Sequence, residues 1–339
     1  FISHRIINEF NFIKQILVKH KIRNVEKFIQ EIFWRVYWKG WLENRPKVWQ
    51  DFIDSISKID ITEGYINACN GKTDVNCFNH WVKELKNYNY LHNHTRMWFA
   101  SIWIFTLQLP WQLGAKFFLE NLYDGDAASN TLSWRWVAGL QTKNKHYLAK
   151  SWNIEKFTSN RYMNINLNES AGPIEEIQTY PVEEKIFKSD FKKKNSILLL
   201  FENDLCFFSR KEIYESYEKI YILLIDNNLR KISINKNVFE FKLKLILNFK
   251  DYFNNCEVVV IQSDLKNFPT CKDLDIIYPS VGENLDFLIE MRDKLKLNLN
   301  FFFRKEDTYC WGFAKKGFFN FKNNIPKIIE NLELSENFN

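Results

Sequence analysis

Glycine is scarce in this chain, with ten residues in 339. Loops that cradle phosphates need several glycines close together, so that backbone can approach the ligand. No GxGxxG follows any predicted strand. The nearest approach to a P-loop is GYINACNGKT at 64–73. Its gap from Gly64 to Gly71 is too long for GxxxxGKT. CxxC pairs are absent as well. Cys69, Cys77, Cys206, Cys256, Cys271 and Cys310 are scattered, which argues against zinc, iron–sulfur clusters or a disulfide framework and fits a reducing cytoplasm. His92 and His94 stand two apart, which turns them away from each other on a helix, so no metal is expected. No signal peptide is visible. The most apolar run, 98–107, is too short for a bilayer, which takes ~20 residues. Residue 1 is Phe and a helical pattern starts at once, so the chain is expected to begin inside a domain.

Aromatic residues are abundant: 31 Phe, 14 Tyr and 12 Trp, enough for a large core. Net charge is +6, compatible with a polyanionic partner without requiring one. From residue 1 to about 161 the apolar spacing is mostly helical. Phe10, Ile13, Ile16, Leu17 and His20 mark one face. The helix expected over 25–41 is aromatic almost all round, so it is expected to be buried. It nonetheless carries Glu31 and Arg35 one turn apart. Phe28, Glu31 and Arg35 share a face and can offer a ring, an acceptor and a guanidinium to one ligand. Helical spacing returns at 78–85, 95–107 and 111–122, with Pro110 as a break.

Asp124-Gly125-Asp126 starts like a calcium loop. Ala128 and Arg135 then stand where oxygen ligands belong, so calcium is not expected. A turn with Asp126 as N-cap of a helix over 127–137 is the plainer expectation. That does not account for Asp124, nor for Asn130 and Trp134, which follow at steps of four on one stripe. Carboxylates at such a turn can accept from the N–H edge of a heterocycle.

These residues carry a family resemblance. EIFWRVY (31–37), LHNHTRM (91–97), LPW (109–111) and DGDAASNTLSWRW (124–136) resemble, in order and approximate spacing, the FAD-binding helical domain of the photolyase/cryptochrome family. The resemblance covers roughly 1–165. It implies FAD beside Arg35 and Asn93, with Arg96 pairing Asp124 near the isoalloxazine. Asp126 would meet the flavin's polar edge, and Asn130 its N5. It implies Trp134 as ring-proximal electron donor and Trp111 as the next link. Trp34 and Trp136 would wall the pocket for a flipped pyrimidine dimer, with Glu31, Asn93 and Met97 as dimer contacts. Flipping a damaged dinucleotide costs only a few kcal/mol, because it already stacks poorly. Two departures stand out. No Trp occupies the place of the distal donor, near Lys58, and His94 replaces an Arg that grips DNA phosphate. Lys39, Lys143, Lys145 and Lys150 are the candidates to compensate.

Residues 168–184 read as part of a linker, with two prolines and a run of acids. Beyond them, strands are expected at 196–201, 220–225, 258–262, 275–278 and 299–303, with helices such as 236–249 and 281–294 between. Alternation of this kind points to a parallel sheet. Asp204, Asp226 and Asp264 each follow a strand, as capping aspartates often do. The expected architecture is therefore an all-α FAD-binding domain (1–165, N-terminally truncated), a linker (166–193) and an α/β domain with a mostly parallel sheet (194–335). SILLLFENDL and WGFAKKGFFNFKNNIPKII faintly resemble the family's own α/β domain, here in reversed order. The antenna chromophore is not legible. The expected function is blue-light repair of cyclobutane dimers in damaged DNA by a cytoplasmic, monomeric lyase. The alternative is a cryptochrome-like photosensor or redox flavoprotein without repair.

Overall fold

The computed structural model describes residues 1–142, 145–184, 192–207, 210–262 and 265–334. They form two compact units. One comprises Phe1–Pro46, Pro181–Ser233 and Phe239–Asn339; the other comprises Lys47–Tyr180 and Ile234–Val238.

The first unit opens with α1 (Glu9–Lys19) and α2 (Ile22–Glu43). Asn8 starts α1 by accepting from the amides of Phe10 and Asn11. The second unit is helical throughout: α3 (Lys47–Ile56), α4 (Glu63–Cys69), α5 (Asn76–Tyr88), α6 (Asn93–Ser101), α7 (Trp111–Asn121), α8 (Ala127–Ala138) and α9 (Ser151–Phe157). A π-helical turn, Ile102–Thr106, continues α6. Pro110 ends that run and stands as N-cap of α7.

The first unit then resumes with β1 (Ile197–Phe201), α10 (Lys211–Glu215), β2 (Lys219–Ile225), α11 (Lys236–Lys250), β3 (Cys256–Ile261), β4 (Asp273–Ile277), α12 (Glu283–Leu295) and β5 (Asn298–Phe302). α13 (Lys305–Trp311), α14 (Phe318–Lys322) and α15 (Ile325–Asn331) follow. The strands form one parallel sheet of order β3-β2-β1-β4-β5. Alternation decides its two faces. Leu198, Leu200, Ile220, Ile222 and Leu224 pack on one side with Ile246 and Phe249. Leu199, Leu223, Ile225, Leu274 and Ile276 pack on the other with Leu288 and Met291. Apolar residues on both faces are what a sheet covered by helices on both sides requires.

α1 and α2, expected with the helical domain, pack in the unit that holds the sheet. The reason is close approach plus buried charge. A Cβ on Gly40 would stand 2.8 Å from Ala314 Cβ, so α2 and the end of α13 meet nearly backbone to backbone. Tyr37 Oη donates to Lys316 O at 3.0 Å, and Asn44 Nδ2 donates to Trp311 O at 2.9 Å. The His4 ring meets Glu202 O at 2.8 Å. Asp204, just past β1, lies within 3.5 Å of the guanidiniums of Arg5, Arg210 and Arg304. Arg5 also reaches Asp307 at 2.7 Å. Of the other strand-following aspartates, Asp226 accepts from Asn228 N in a tight turn. Asp264 lies outside the described residues.

Burial alone would raise the buried acids, but the cations around them win. Lys242 and Arg230 hold Glu202 down to about 2, and Arg210, Arg304 and Arg5 hold Asp204 well below the usual carboxylate range. Depressed folded-state values stabilise above the unfolded carboxylate pKa of ~4 and lose that contribution as pH falls toward the folded value. Stability should therefore be level near neutrality and fall steeply between roughly pH 4 and pH 2, as read by urea melts at stepped pH. Asp204→Ala strands three guanidiniums and should cost about 3–5 kcal/mol at neutral pH, read from the urea midpoint.

Candidate functional site

The candidate residues fall in both units. In the first, five of them lie on α2. Phe28 is 50% exposed and meets Phe12 edge-on at 6.0 Å. Glu31 is exposed. This corrects the expectation of burial drawn from the surrounding aromatics: the inward stripe is Ile29, Ile32, Phe33, Val36 and Tyr37, and Glu31 lies off it. Trp34 stacks on Phe318 with centroids 3.4 Å apart. Arg35 Nε lies 3.4 Å from Glu9 Oε1, and its Nη2 donates to Ser3 O. Lys39 is buried, and its charge lowers the carboxyls of Glu9 and Asp307. A lysine so placed is spoken for inside the protein and cannot serve as the DNA contact expected of it.

The second unit holds the rest. α6 and α7 both pack on α8. His92 caps α6, accepting from His94 N. Asn93, the first residue of that helix, is exposed. His94 stacks on Trp98 at 4.3 Å, and burial holds its imidazole below the usual range, with His92 adding to the effect. Met97 is half-buried. Arg96 Nη2 lies 3.1 Å from Asp124 Oδ2, and its Nε donates to Leu91 O at 2.8 Å. Asp126 accepts from Ala128 N and Ser129 N, so it is the N-cap of α8. Asp124 is different: its Oδ1 is shielded from solvent and meets no hydrogen-bond donor among the described residues. Asn130 Nδ2 donates to Ala115 O at 2.8 Å, fixing α8 to α7. Trp136 stacks on Tyr147 at 5.9 Å. Lys145 is exposed, Lys150 Nζ donates to Glu169 O, and Lys143 lies outside the described residues.

Trp134 is buried, with Phe118 at 5.0 Å and Trp103 at 6.2 Å, both edge-on. Its indole N–H meets no acceptor among the described residues. Gly114 makes this packing possible: a Cβ there would overlap the Trp134 ring and stand 3.0 Å from Trp103 Nε1. Trp111 stacks on Phe52 at 5.6 Å. Trp103 and Gly114 were not singled out from the sequence. The run at 98–107 gave a signal only of apolarity, and the π-helical turn that aims Trp103 has no periodic signature, although such turns recur at functional sites. Arg135 and Glu176 were also missed. They pair bidentately at 2.8 and 2.6 Å, so the acidic run read as linker is anchored to α8.

The second unit's chemistry fits a flavin. It offers a shielded carboxylate oxygen for an N–H or O–H donor, a guanidinium from α6 on the other oxygen, and a buried indole on the helix that follows the turn. Among the described residues no cluster of three or more His, Cys, Asp or Glu could hold a metal ion, and no helix is long and apolar enough to cross a membrane. All six cysteines are free thiols. Gly114→Ala should overpack the Trp134–Trp103 contact and cost about 1–3 kcal/mol, read from the thermal midpoint; an unchanged midpoint would show the two indoles free to move apart.

Comparison with known proteins agrees with this chemistry. Residues 28–165 match the family described as FAD binding domain of DNA photolyase. The chain is 33% identical over 119 residues to the deoxyribodipyrimidine photo-lyase of Streptomyces griseus, covering 34% of this chain and 26% of that one. It is 25% identical over 207 residues to the enzyme of the same name from Buchnera aphidicola, covering 55% and 43%. It is 29% identical over 132 residues to cryptochrome DASH of Idiomarina loihiensis, covering 38% and 29%. The chain thus spans between 26% and 43% of the length of these relatives. No solved structure matches it. With the DGD turn and the Arg96–Asp124 pair lying inside it, the matched segment is similar to the FAD-binding domain of the photolyase/cryptochrome family, and the cofactor of that domain is FAD.

Proposed function

We propose that this protein repairs cyclobutane pyrimidine dimers in DNA, driven by blue light. The observation that carries it is the Arg96–Asp124 pair, with one carboxylate oxygen held away from water and lacking a donor. A shielded acceptor left unpaired costs about 1–3 kcal/mol, a cost a bound cofactor's N–H or O–H would offset. Reduced FAD would supply the electron that splits the dimer on excitation. The chain's own residues hold and shield. Asp124 accepts from the cofactor with one oxygen while Arg96 holds the other. Asp126, as cap, turns the start of α8 toward the same group, with Asn130 a turn further along. Asn93 lies beside the cofactor, and Met97 and Trp136 face the extruded dinucleotide.

The second reading is a photosensing or redox flavoprotein without repair. Two observations favour it. Trp34, expected to offer its ring to the dimer, has one face stacked on Phe318. Lys39, expected on phosphate, is buried.

The decisive experiment uses the purified chain, its visible absorption, and dimer-containing single-stranded DNA under blue light. Flavin absorption together with dimer loss is the expected result. Flavin absorption with dimers intact selects the sensor, and a colourless protein that cannot be loaded with FAD overturns both. Asp124→Asn should weaken FAD binding about tenfold or more, since a hydrogen bond to a charged group is worth about 1.5–3 kcal/mol; titration with FAD followed by tryptophan fluorescence reads it.

A further inference from the structure

The aromatic cluster around Trp134 has a direction. Its ring neighbours Phe99, Phe118 and Trp103 lie at 6.5, 5.0 and 6.2 Å. Of these only Trp103 gives up an electron readily, because a benzene ring is far harder to oxidise than an indole. Trp103 is fully buried and lies 5.9 Å edge-on from Tyr65, which is partly exposed. Trp111 is placed less well for the same task. Its ring stacks on Phe52, and the Arg135 guanidinium sits 5.7 Å over it. A fixed cation beside a ring opposes positive charge on that ring, although Glu176 screens part of it.

The N–H and O–H groups point the same way. Trp103 Nε1 donates to Pro110 O at 2.9 Å, and Trp134 Nε1 meets no acceptor. Neither indole faces a base that would take its proton, so a missing electron stays mobile on either ring. Tyr65 is different. It is partly exposed, lies beside Cys69, and a phenol that loses an electron sheds its proton.

We propose that Tyr65, reached through Trp103, is the terminal electron donor to Trp134 in this chain. It stands in for the tryptophan that is missing near Lys58. The proposal rests on the flavin reading of the site. One electron passes from Trp134 to the photoexcited oxidised flavin, which is the oxidant. Trp103 refills Trp134, and Tyr65 refills Trp103. Tyr65 ends one electron short, its phenolic proton goes to water, and a neutral tyrosyl radical remains. An added thiol then returns a hydrogen atom.

The test uses the full chain loaded with FAD, illuminated, frozen and read by electron paramagnetic resonance, beside the rate of flavin bleaching in thiol. A tyrosyl signal is expected in the unaltered protein, lost in Tyr65→Phe and Trp103→Phe and kept in Trp111→Phe, with bleaching slowed in the first two. Deuterated tyrosine identifies the radical. Trp103 is a core residue, so Tyr65→Phe, partly exposed and nearly isosteric, decides if the Trp103 variant fails to hold FAD. A tyrosyl signal that survives Tyr65→Phe, or one lost only in Trp111→Phe, overturns the route and leaves the flavin site standing. A protein that takes up no FAD overturns both.

Discussion

Two acids at the carboxyl end of β1 hold the first unit together. Glu202 and Asp204 are buried, and the groups that match them come from distant parts of the chain: Arg5 before α1, Arg210 in the loop after β1, Arg230 after β2, Lys242 on α11 and Arg304 after β5. Burying a carboxylate costs several kcal/mol unless excellent geometry offsets it. Here the offset requires all these segments at once. The segment before α1 therefore cannot leave without stranding charges, and the place of α1 and α2 in this unit follows. The strand order reverses between β1 and β4, where open parallel sheets tend to leave a crevice. His4 and Arg5 bond to the residues that follow β1 at that point.

The second unit is organised on a different principle. Its centre is almost wholly aromatic, and precise fit takes the place of charge. Trp134, Trp103, Phe99, Phe117 and Phe118 meet edge-on or stacked at 5.0–6.5 Å. Such arrangements suit the ring quadrupole and add to simple burial. One glycine, Gly114, sets how closely they approach. Buried polar groups such as Arg135 and Asn130 are answered by Glu176 and Ala115 O, and at the head of α8 the geometry singles out one acid: Asp126 is occupied by its own helix, while Asp124 reaches Arg96 with one oxygen and, among the described residues, nothing with the other.

The sequence made the local parts legible. The five expected strands lie within two residues of β1–β5 at each end, because buried parallel strands announce themselves as short apolar runs between turns. The helix expected over 127–137 is α8 with one residue added, since Asp126 and Gly139 mark its ends. Long-range partners were not legible. Arg5, Glu9, Arg304 and Asp307 carry no periodic pattern, and charged residues read as surface until their partners are known. The stacking of Phe318 on Trp34 joins residues almost a chain length apart. Glu31 departs from the burial that the aromatics suggest because α2 is buried nearly all round only from Val36 onward, while the half that holds Glu31 buries one stripe and leaves it outside.

The contrast between the two acids of the DGD turn bears on the proposal that the turn belongs to a binding site. A cap needs one acceptor, and Asp126 supplies it. A second acid beside a cap adds repulsion unless a cation answers it, and Arg96 answers only Oδ2. Were the turn merely structural, a serine or asparagine at 124 would satisfy the backbone without a shielded, unpaired oxygen. An ionised oxygen kept from both water and protein donors stabilises nothing in the folded chain by itself. It becomes favourable only when a donor arrives from outside, and a flavin, with a ring N–H and ribityl hydroxyls, carries donors of that kind. In the proposed site Asp124 is thus the point at which the chain's folding energetics and its cofactor chemistry would meet, with Arg96 answering the other oxygen.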